Sequence, residues 1–190
     1  MKPRDLGSSD LANTLGGFKM DMNNNDILIR LRYALDLKDG EMVEVFKLGG
    51  VALTEDDLQD LLVKSIDSYY DDGEIDDEYT ECSNSMLESF LNGLIIYKRG
   101  RQDPNSSQQD KPDMSIQNNG SVNNVLLKKL KIALTLTSED MLEILKSADV
   151  MVTKGELSAL LRKEGHKNYK RCGDRYARNF LKGLAFRYRG

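Results

Sequence analysis

Few side chains in this sequence have the chemistry of catalysts or metal ligands. His166 is the only histidine, and Cys82 and Cys172 are the only cysteines. A general base or a metal site needs companion residues at short spacing, and none accompany His166. The cysteines are expected to be small buried side chains, with pairing between them as the alternative. The pattern predicts a non-enzymatic protein with no catalytic residue, metal or cofactor; an enzyme built from dispersed residues would need a deep polar pocket between the halves.

One segment, residues 67–81, is densely acidic. Between Asp67 and Glu81 it carries Asp71, Asp72, Glu74, Asp76, Asp77 and Glu78. A run of this kind predicts a solvated loop. The alternative is a calcium loop, which the sequence disfavours because the carboxylates do not alternate and no glutamate stands at the twelfth position.

The two halves of the chain carry opposite charge. Residues 23–100 hold 7 lysines and arginines against 18 aspartates and glutamates, a net charge of −11. Residues 121–190 hold 15 against 7, a net charge of +8, and the whole chain has −4. This asymmetry predicts different partners for the two halves, or contact of one half with the other.

The basic half offers the candidate binding residues. Arg175, Arg178 and Lys182 recur at i, i+3 and i+7, which places them on one face of a predicted last helix. The apolar face of that helix comprises Tyr176, Phe180, Leu181, Leu184 and Tyr188. Further positive charge comes from Arg162, Lys163, Lys167, Lys170 and Arg171 before this helix, and from Lys128, Lys129 and Lys131 earlier. These residues predict a surface that binds nucleic acid or another polyanion; the alternative is a solvated face that balances the acidic half.

The elements that must position these residues are duplicated. With an offset of 99, apolar residues of 28–58 match residues 127–157, and from Cys82 and Cys172 onward the offset is 90. The acidic loop is therefore a nine-residue insertion, and each copy is predicted to form four helices. Gly93 and Gly183 lie at the same place in the last helix of each copy, which predicts a close helix crossing without room for a Cβ atom.

The remaining segments define the predicted domain boundaries. Residues 1–22 are polar and lack a sustained period, which predicts a disordered leader; residues 101–121 predict a flexible linker. The first repeat is assigned to 23–100 and the second to 122–190. No apolar run follows the N-terminus and none is long enough for a membrane span, so a cytoplasmic location is expected.

Each copy also has the outline of a helix-turn-helix, at residues 41–62 and 140–161. The predicted second helix of the later copy carries Lys154, Arg162 and Lys163. The corresponding helix of the first copy is acidic. If a helix-turn-helix contacts phosphate, the second copy is therefore expected to supply it.

Several strings resemble the YehS-like family of bacterial proteins. They are NNDIL at 24–28, RLRYALDL at 30–37, FLNGLI at 90–95, LKIAL at 130–134 and NFLKGL at 179–184. The resemblance covers about residues 23–190 and implies a duplicated domain of unknown function, with no established site to transfer. The leader and the lengthened acidic loop depart from the family pattern.

Together these observations predict an all-α protein of two tandem homologous four-helix units joined by a flexible linker. The expected function is a binding module whose basic second repeat contacts nucleic acid or another polyanion. The alternative is a protein–protein assembly module, in which the acidic repeat docks on the basic repeat within one chain or between chains. No membrane partner is expected.

Overall fold

A computed structural model describes residues 21–63, 79–101 and 115–190, and these residues form eight α-helices and no strand. The helices of the first repeat are α1 (Asn24–Ala34), α2 (Asp39–Leu48), α3 (Glu55–Leu61) and α4 (Asn84–Arg99). Those of the second are α5 (Val122–Ala133), α6 (Ser138–Ser147), α7 (Lys154–Leu160) and α8 (Asp174–Arg189). The all-α class with two four-helix units is confirmed. The predicted leader up to residue 20, residues 64–78, which include most of the acidic loop, and the linker part 102–114 lie outside the described residues.

Side-chain caps fix where several helices begin. Asn23, Thr54, Thr137 and Thr153 each accept a hydrogen bond from a backbone N–H of the first turn. The acidic side chain three residues after each cap in turn accepts one from the backbone N–H of the cap residue. Such reciprocal capping satisfies two backbone donors that the helix leaves unpaired. At α6 the bonds from Thr137, together with Arg187, lower the pKa of Asp140 to about 2.

The first helix of each repeat packs mainly against the last helix of the other repeat. Thus α1 lies on α8, and α5 lies on α4, whereas α2 and α6 pack against the last helix of their own repeat. This exchange relates the repeats by an approximate two-fold axis. The buried apolar side chains of both repeats form a single continuous core, so the repeats are interlocked.

Glycine permits the closest helix crossings. A Cβ atom on Gly93 would lie 1.8 Å from the carbonyl oxygen of Val45 on α2. On Gly183 it would lie 2.1 Å from that of Ile144 on α6. Both distances are far below van der Waals contact, which confirms the predicted close crossing in each repeat.

The end of the predicted linker lies against the first repeat. Ile116 is half-buried against the core, and its backbone N–H donates to Glu88 Oε2 of α4 at 2.9 Å. Residues 115–121 thus lead from α4 toward α5 along the surface between these two helices. The predicted domain boundaries stay a prediction.

Among the helices of the described residues, none combines the length and apolar character that crossing a membrane requires.

Candidate polyanion-binding surface

The basic segment between α7 and α8 is held at both ends by one buried side chain, Asn124 of α5. Its Nδ2 donates to the carbonyl oxygens of Leu160 at 2.8 Å and Lys170 at 2.9 Å. Its Oδ1 accepts from the backbone N–H of Cys172 at 2.9 Å and from the Tyr169 hydroxyl at 3.1 Å. All donors and acceptors of this amide are used. Residues 161–171, which we call the basic loop, are therefore fixed where they leave α7 and where they approach α8.

The first repeat contains the same arrangement around Asn25, which is fully buried. Nδ2 donates to Leu61 O at 3.0 Å and to Thr80 O at 2.7 Å, and Oδ1 accepts from Cys82 N–H at 2.9 Å. The scaffold that holds the loop is thus common to both repeats, while the charge of the loop differs. Sequence reasoning missed this role; the signal was the pair of adjacent asparagines that opens both copies.

The cationic side chains of the basic loop face solvent. Lys163, Lys167, Lys170 and Arg171 are exposed, and Arg162 is half-buried. Within the described residues, no acidic group lies close enough to any of these five to form a salt bridge. Their charge is therefore not neutralised by a described ion pair and is accessible to a ligand.

Glu164, the carboxylate of the basic loop, accepts from Asn118 Nδ2 at 3.4 Å, and the other polar contacts of the loop are local. Arg162 Nη1 lies 3.3 Å from His166 Nε2, and the other ring nitrogen of His166 accepts from Asn168 N–H at 3.1 Å. His166 is exposed. Across the described ranges, no cluster of three or more histidine, cysteine or acidic side chains has the geometry to hold a metal ion.

The predicted face of α8 continues from this loop. Arg175 and Lys182 are exposed, and Arg178 is half-buried. In the first repeat the equivalent of Arg178 is Glu88, whose carboxylate accepts the Ile116 N–H. The same helix face therefore binds the chain's own backbone in one repeat and carries positive charge in the other.

Lys182 lies at an open groove between α1 and α8. This α1–α8 groove has a volume of about 610 Å³. Its lining side chains come from both repeats: Asp26, Ile29, Arg30, Tyr33, Leu181, Lys182, Ala185, Phe186 and Arg189. Two of its aromatic rings are unusually accessible, since Tyr33 is 60% exposed and Phe186 is 49% exposed. Sequence reasoning did not single out these rings or Arg30.

Cations lie over both exposed rings. Arg189 Cζ is 4.3 Å from the ring centroid of Tyr33, and Lys182 Nζ is 5.5 Å from that of Phe186. Both distances are within the range of cation–π contacts. Arg189 also donates to Tyr33 O at 3.0 Å and pairs with Asp36 at 3.3 Å, which ties the end of α8 to the end of α1.

Two sequence predictions about this surface are wrong. Lys129 is only 3% exposed, and its Nζ donates to Asn92 Oδ1 of α4, because it lies in the contact between α4 and α5. Tyr188 is predicted on the apolar face of α8 but is 45% exposed, because it lies in the last turn at the end of this helix. Lys128, which precedes Lys129 in α5, is half-buried, and its burial lowers the pKa of its ammonium group.

The helix-turn-helix interpretation also needs correction. Its second helix, α7, ends at Leu160, so Arg162 and Lys163 follow this helix and belong to the basic loop. Lys154, at its first position, is paired with Glu139 of α6. The positive charge therefore lies on the loop and on α8, and not along α7.

A polar cleft of about 700 Å³ lies where the N-terminal ends of α1, α4, α5 and α8 meet. Cys82 and Cys172 line it as free, buried thiols, as the sequence predicted. Burial raises the pKa of each to about 12, which keeps both thiols protonated and weakly nucleophilic. Asn24 and Asn123 bond to neighbouring polar groups, including Asn84 at 2.8 Å and Asp174 at 2.8 Å. The cleft thus has the size of a substrate site but no activated cysteine.

Comparison with known proteins places the chain beside uncharacterised relatives. A family described as "Protein of unknown function (DUF1456)" matches residues 24–100 and again residues 123–190. "Uncharacterized protein YehS" of Escherichia coli (strain K12) is 37% identical over 166 residues, which cover 87% of this chain and 96% of that protein. No solved structure matches. The double match agrees with the duplication of the four-helix unit.

Proposed function

This chain belongs to the DUF1456 family, and we propose that it is a non-enzymatic binding protein whose basic second repeat contacts nucleic acid. One observation carries the proposal. An equivalent asparagine holds the flanks of this segment in both repeats, but in the second the segment presents five cationic side chains that have no ion-pair partner among the described residues. Packing does not require this charge, because the scaffold is also built without it.

The distribution of the cationic side chains supports a polyphosphate as the ligand. The cations are distributed over the basic loop and the adjacent face of α8, and they are not gathered around one point. Such an extended arrangement suits a linear polyanion, whose phosphates repeat along its length, better than a small anion. A cytoplasmic location, where nucleic acid is abundant, is part of the same proposal.

The test is the salt dependence of binding to a labelled oligonucleotide, followed by fluorescence anisotropy between about 50 and 200 mM salt. We expect affinity to fall steeply as salt rises, because neutralised phosphates release counterions. The triple substitution Lys163→Gln, Lys167→Gln, Lys170→Gln should weaken binding. It should also reduce the slope of log K against log salt by about 2, since each phosphate contact on a single strand contributes about 0.7.

The matched control removes the same charge elsewhere. Lys38→Gln, Lys47→Gln, Lys146→Gln changes three exposed lysines that lie outside the basic loop and α8. We expect this variant to keep nearly the wild-type slope. Absence of binding at low salt, binding that is indifferent to salt, or equal losses in both triple variants would contradict the proposal.

Assembly through opposite charges is the second candidate. It is favoured by the Arg189–Asp36 pair, in which a cation of the second repeat contacts a carboxylate of the first. Light scattering against ionic strength separates the two functions. A dimer that dissociates with salt and does not bind oligonucleotides would favour assembly, whereas a salt-independent particle size would disfavour it.

A further inference from the structure

We propose that the α1–α8 groove binds the bases of a single-stranded nucleic acid by stacking on Tyr33 and Phe186. This inference rests on the proposed function and adds the strand type and the residues that contact bases. The groove is open, about 610 Å³ in volume, and lies next to the cationic face of α8, with which it shares Lys182. Phosphates bound along that face would bring the attached bases to the groove.

The approximate two-fold symmetry provides an internal comparison. The equivalent contact in the other half of the molecule is that between α5 and α4. There Lys129 takes the place of Arg30 and is buried against Asn92, which takes the place of Lys182. The positions of Tyr33 and Phe186 are occupied by Ile132 and Ile96. The α4–α5 contact is thus aliphatic and contains a buried lysine, whereas the α1–α8 groove keeps exposed aromatic rings and exposed cations.

The chemistry of the groove indicates its ligand. Exposed aromatic rings are costly in water and are typical of surfaces on which flat ligands stack. Arg189 is paired with Asp36, and Arg30 and Lys182 together outnumber the carboxylate of Asp26, so the groove keeps an excess of positive charge that favours an anionic ligand. A nucleic-acid strand combines both properties, because each nucleotide pairs a flat base with a phosphate.

A single strand fits this site better than a duplex. In a duplex the base faces are already stacked on one another and cannot reach Tyr33 or Phe186. A duplex reader would instead present a cationic helix to the major groove. The second helix of the helix-turn-helix outline, α7, does not provide one, since Lys154 is paired with Glu139, and the cationic helix α8 carries Lys182 beside the exposed rings of the groove.

The test uses the full-length chain with a labelled oligothymidine, a duplex of equal length and an abasic strand that keeps the phosphates. We expect Tyr33→Leu and Phe186→Leu each to weaken oligothymidine binding about tenfold, the size of one lost stacking contact. Tyr33→Phe retains the ring and should bind within about twofold of wild type. Tyr188→Leu is the matched control, because this ring is on the same helix and 45% exposed but does not line the groove.

The abasic strand isolates the stacking contribution. The wild-type protein should bind the abasic strand more weakly than oligothymidine. The two leucine variants should bind the abasic strand with the same affinity as the wild-type protein. Equal affinity of wild type and both leucine variants for oligothymidine, or equal affinity of wild type for the abasic strand, overturns the inference. Competition by polyglutamate against oligothymidine that is lost in Tyr33→Leu would also overturn the inference, since the groove would then accept an acidic peptide.

The experiments distinguish an incorrect stacking site from an incorrect nucleic-acid proposal. If the basic-loop variant weakens binding and the groove variants do not, the stacking site is wrong and the nucleic-acid proposal stands. If no oligonucleotide binds at low salt, both are wrong. Circular dichroism of each variant confirms that the helices are intact.

Discussion

One buried asparagine in each repeat determines the path of the loop before the last helix. Asn124 joins three parts of the second repeat, since it bonds to the end of α7, to the basic loop and to the start of α8. An amide suits this position because it offers two donors and an acceptor to backbone groups that are removed from water. The residue therefore acts on binding through the loop that it holds, without contacting the ligand itself.

Replacing Asn124 with alanine should destabilise the protein by about 2–4 kcal/mol, because several buried backbone groups would lose their partners. Urea denaturation followed by circular dichroism measures the change. The control is Asn179→Ala, since the hydrogen bond that Asn179 donates to Arg175 O lies on the exposed side of α8; its effect should be within about 0.5 kcal/mol. Similar free energies of unfolding for the two variants would refute the role assigned to Asn124.

At the scale of elements, the helix crossings depend on the absence of side chains. The backbones of α6 and α8 approach so closely at Gly183 that a methyl group would meet the carbonyl oxygen of Ile144. The α2–α4 crossing at Gly93 is built in the same way. These contacts set the position of α8, and hence the position of its cationic face relative to the basic loop.

We expect Gly183→Ala to destabilise the protein by about 1–3 kcal/mol, because α8 must move away from α6. Thermal unfolding and urea denaturation both measure this effect. Gly155→Ala on α7 is the matched control: its Cβ would lie 4.0 Å from the nearest atom, so it should be neutral or slightly stabilising, as alanine favours helices. A stabilising effect of Gly183→Ala would show that the crossing is looser than described.

Local signals in the sequence were sufficient for the elements but not for their pairing. The apolar pattern shared by the two copies predicted their helices, and the glycines at the crossings predicted a close contact, because both signals act through neighbouring residues. The exchange of α1 and α5 between the repeats could not be predicted, since an apolar helix face fits several partners equally well. The errors at Lys129 and Tyr188 follow from this, because the pairing of helices decides which side chains are covered.

Across the whole molecule, the two repeats share the same buried scaffold, but their surfaces differ in charge. Both repeats contribute to a single core, so neither exposes its apolar faces separately. The charge of the basic repeat was evident from the sequence, and the structure places most of it on the basic loop and α8. The α1–α8 groove was not predicted, because Tyr33 and Phe186 are 153 residues apart and meet only through the exchange of helices.

The surface of the second repeat is proposed to bind nucleic acid, and the equivalent surface of the first repeat is not. The most direct measurement is a nuclear magnetic resonance titration of the labelled protein with oligothymidine at low salt. We expect chemical-shift changes at backbone amides of the basic loop, of α8 from Arg175 to Lys182 and around Tyr33, with little change along the α4–α5 contact. Changes confined to the first repeat, or none at saturating oligonucleotide, would contradict the proposal.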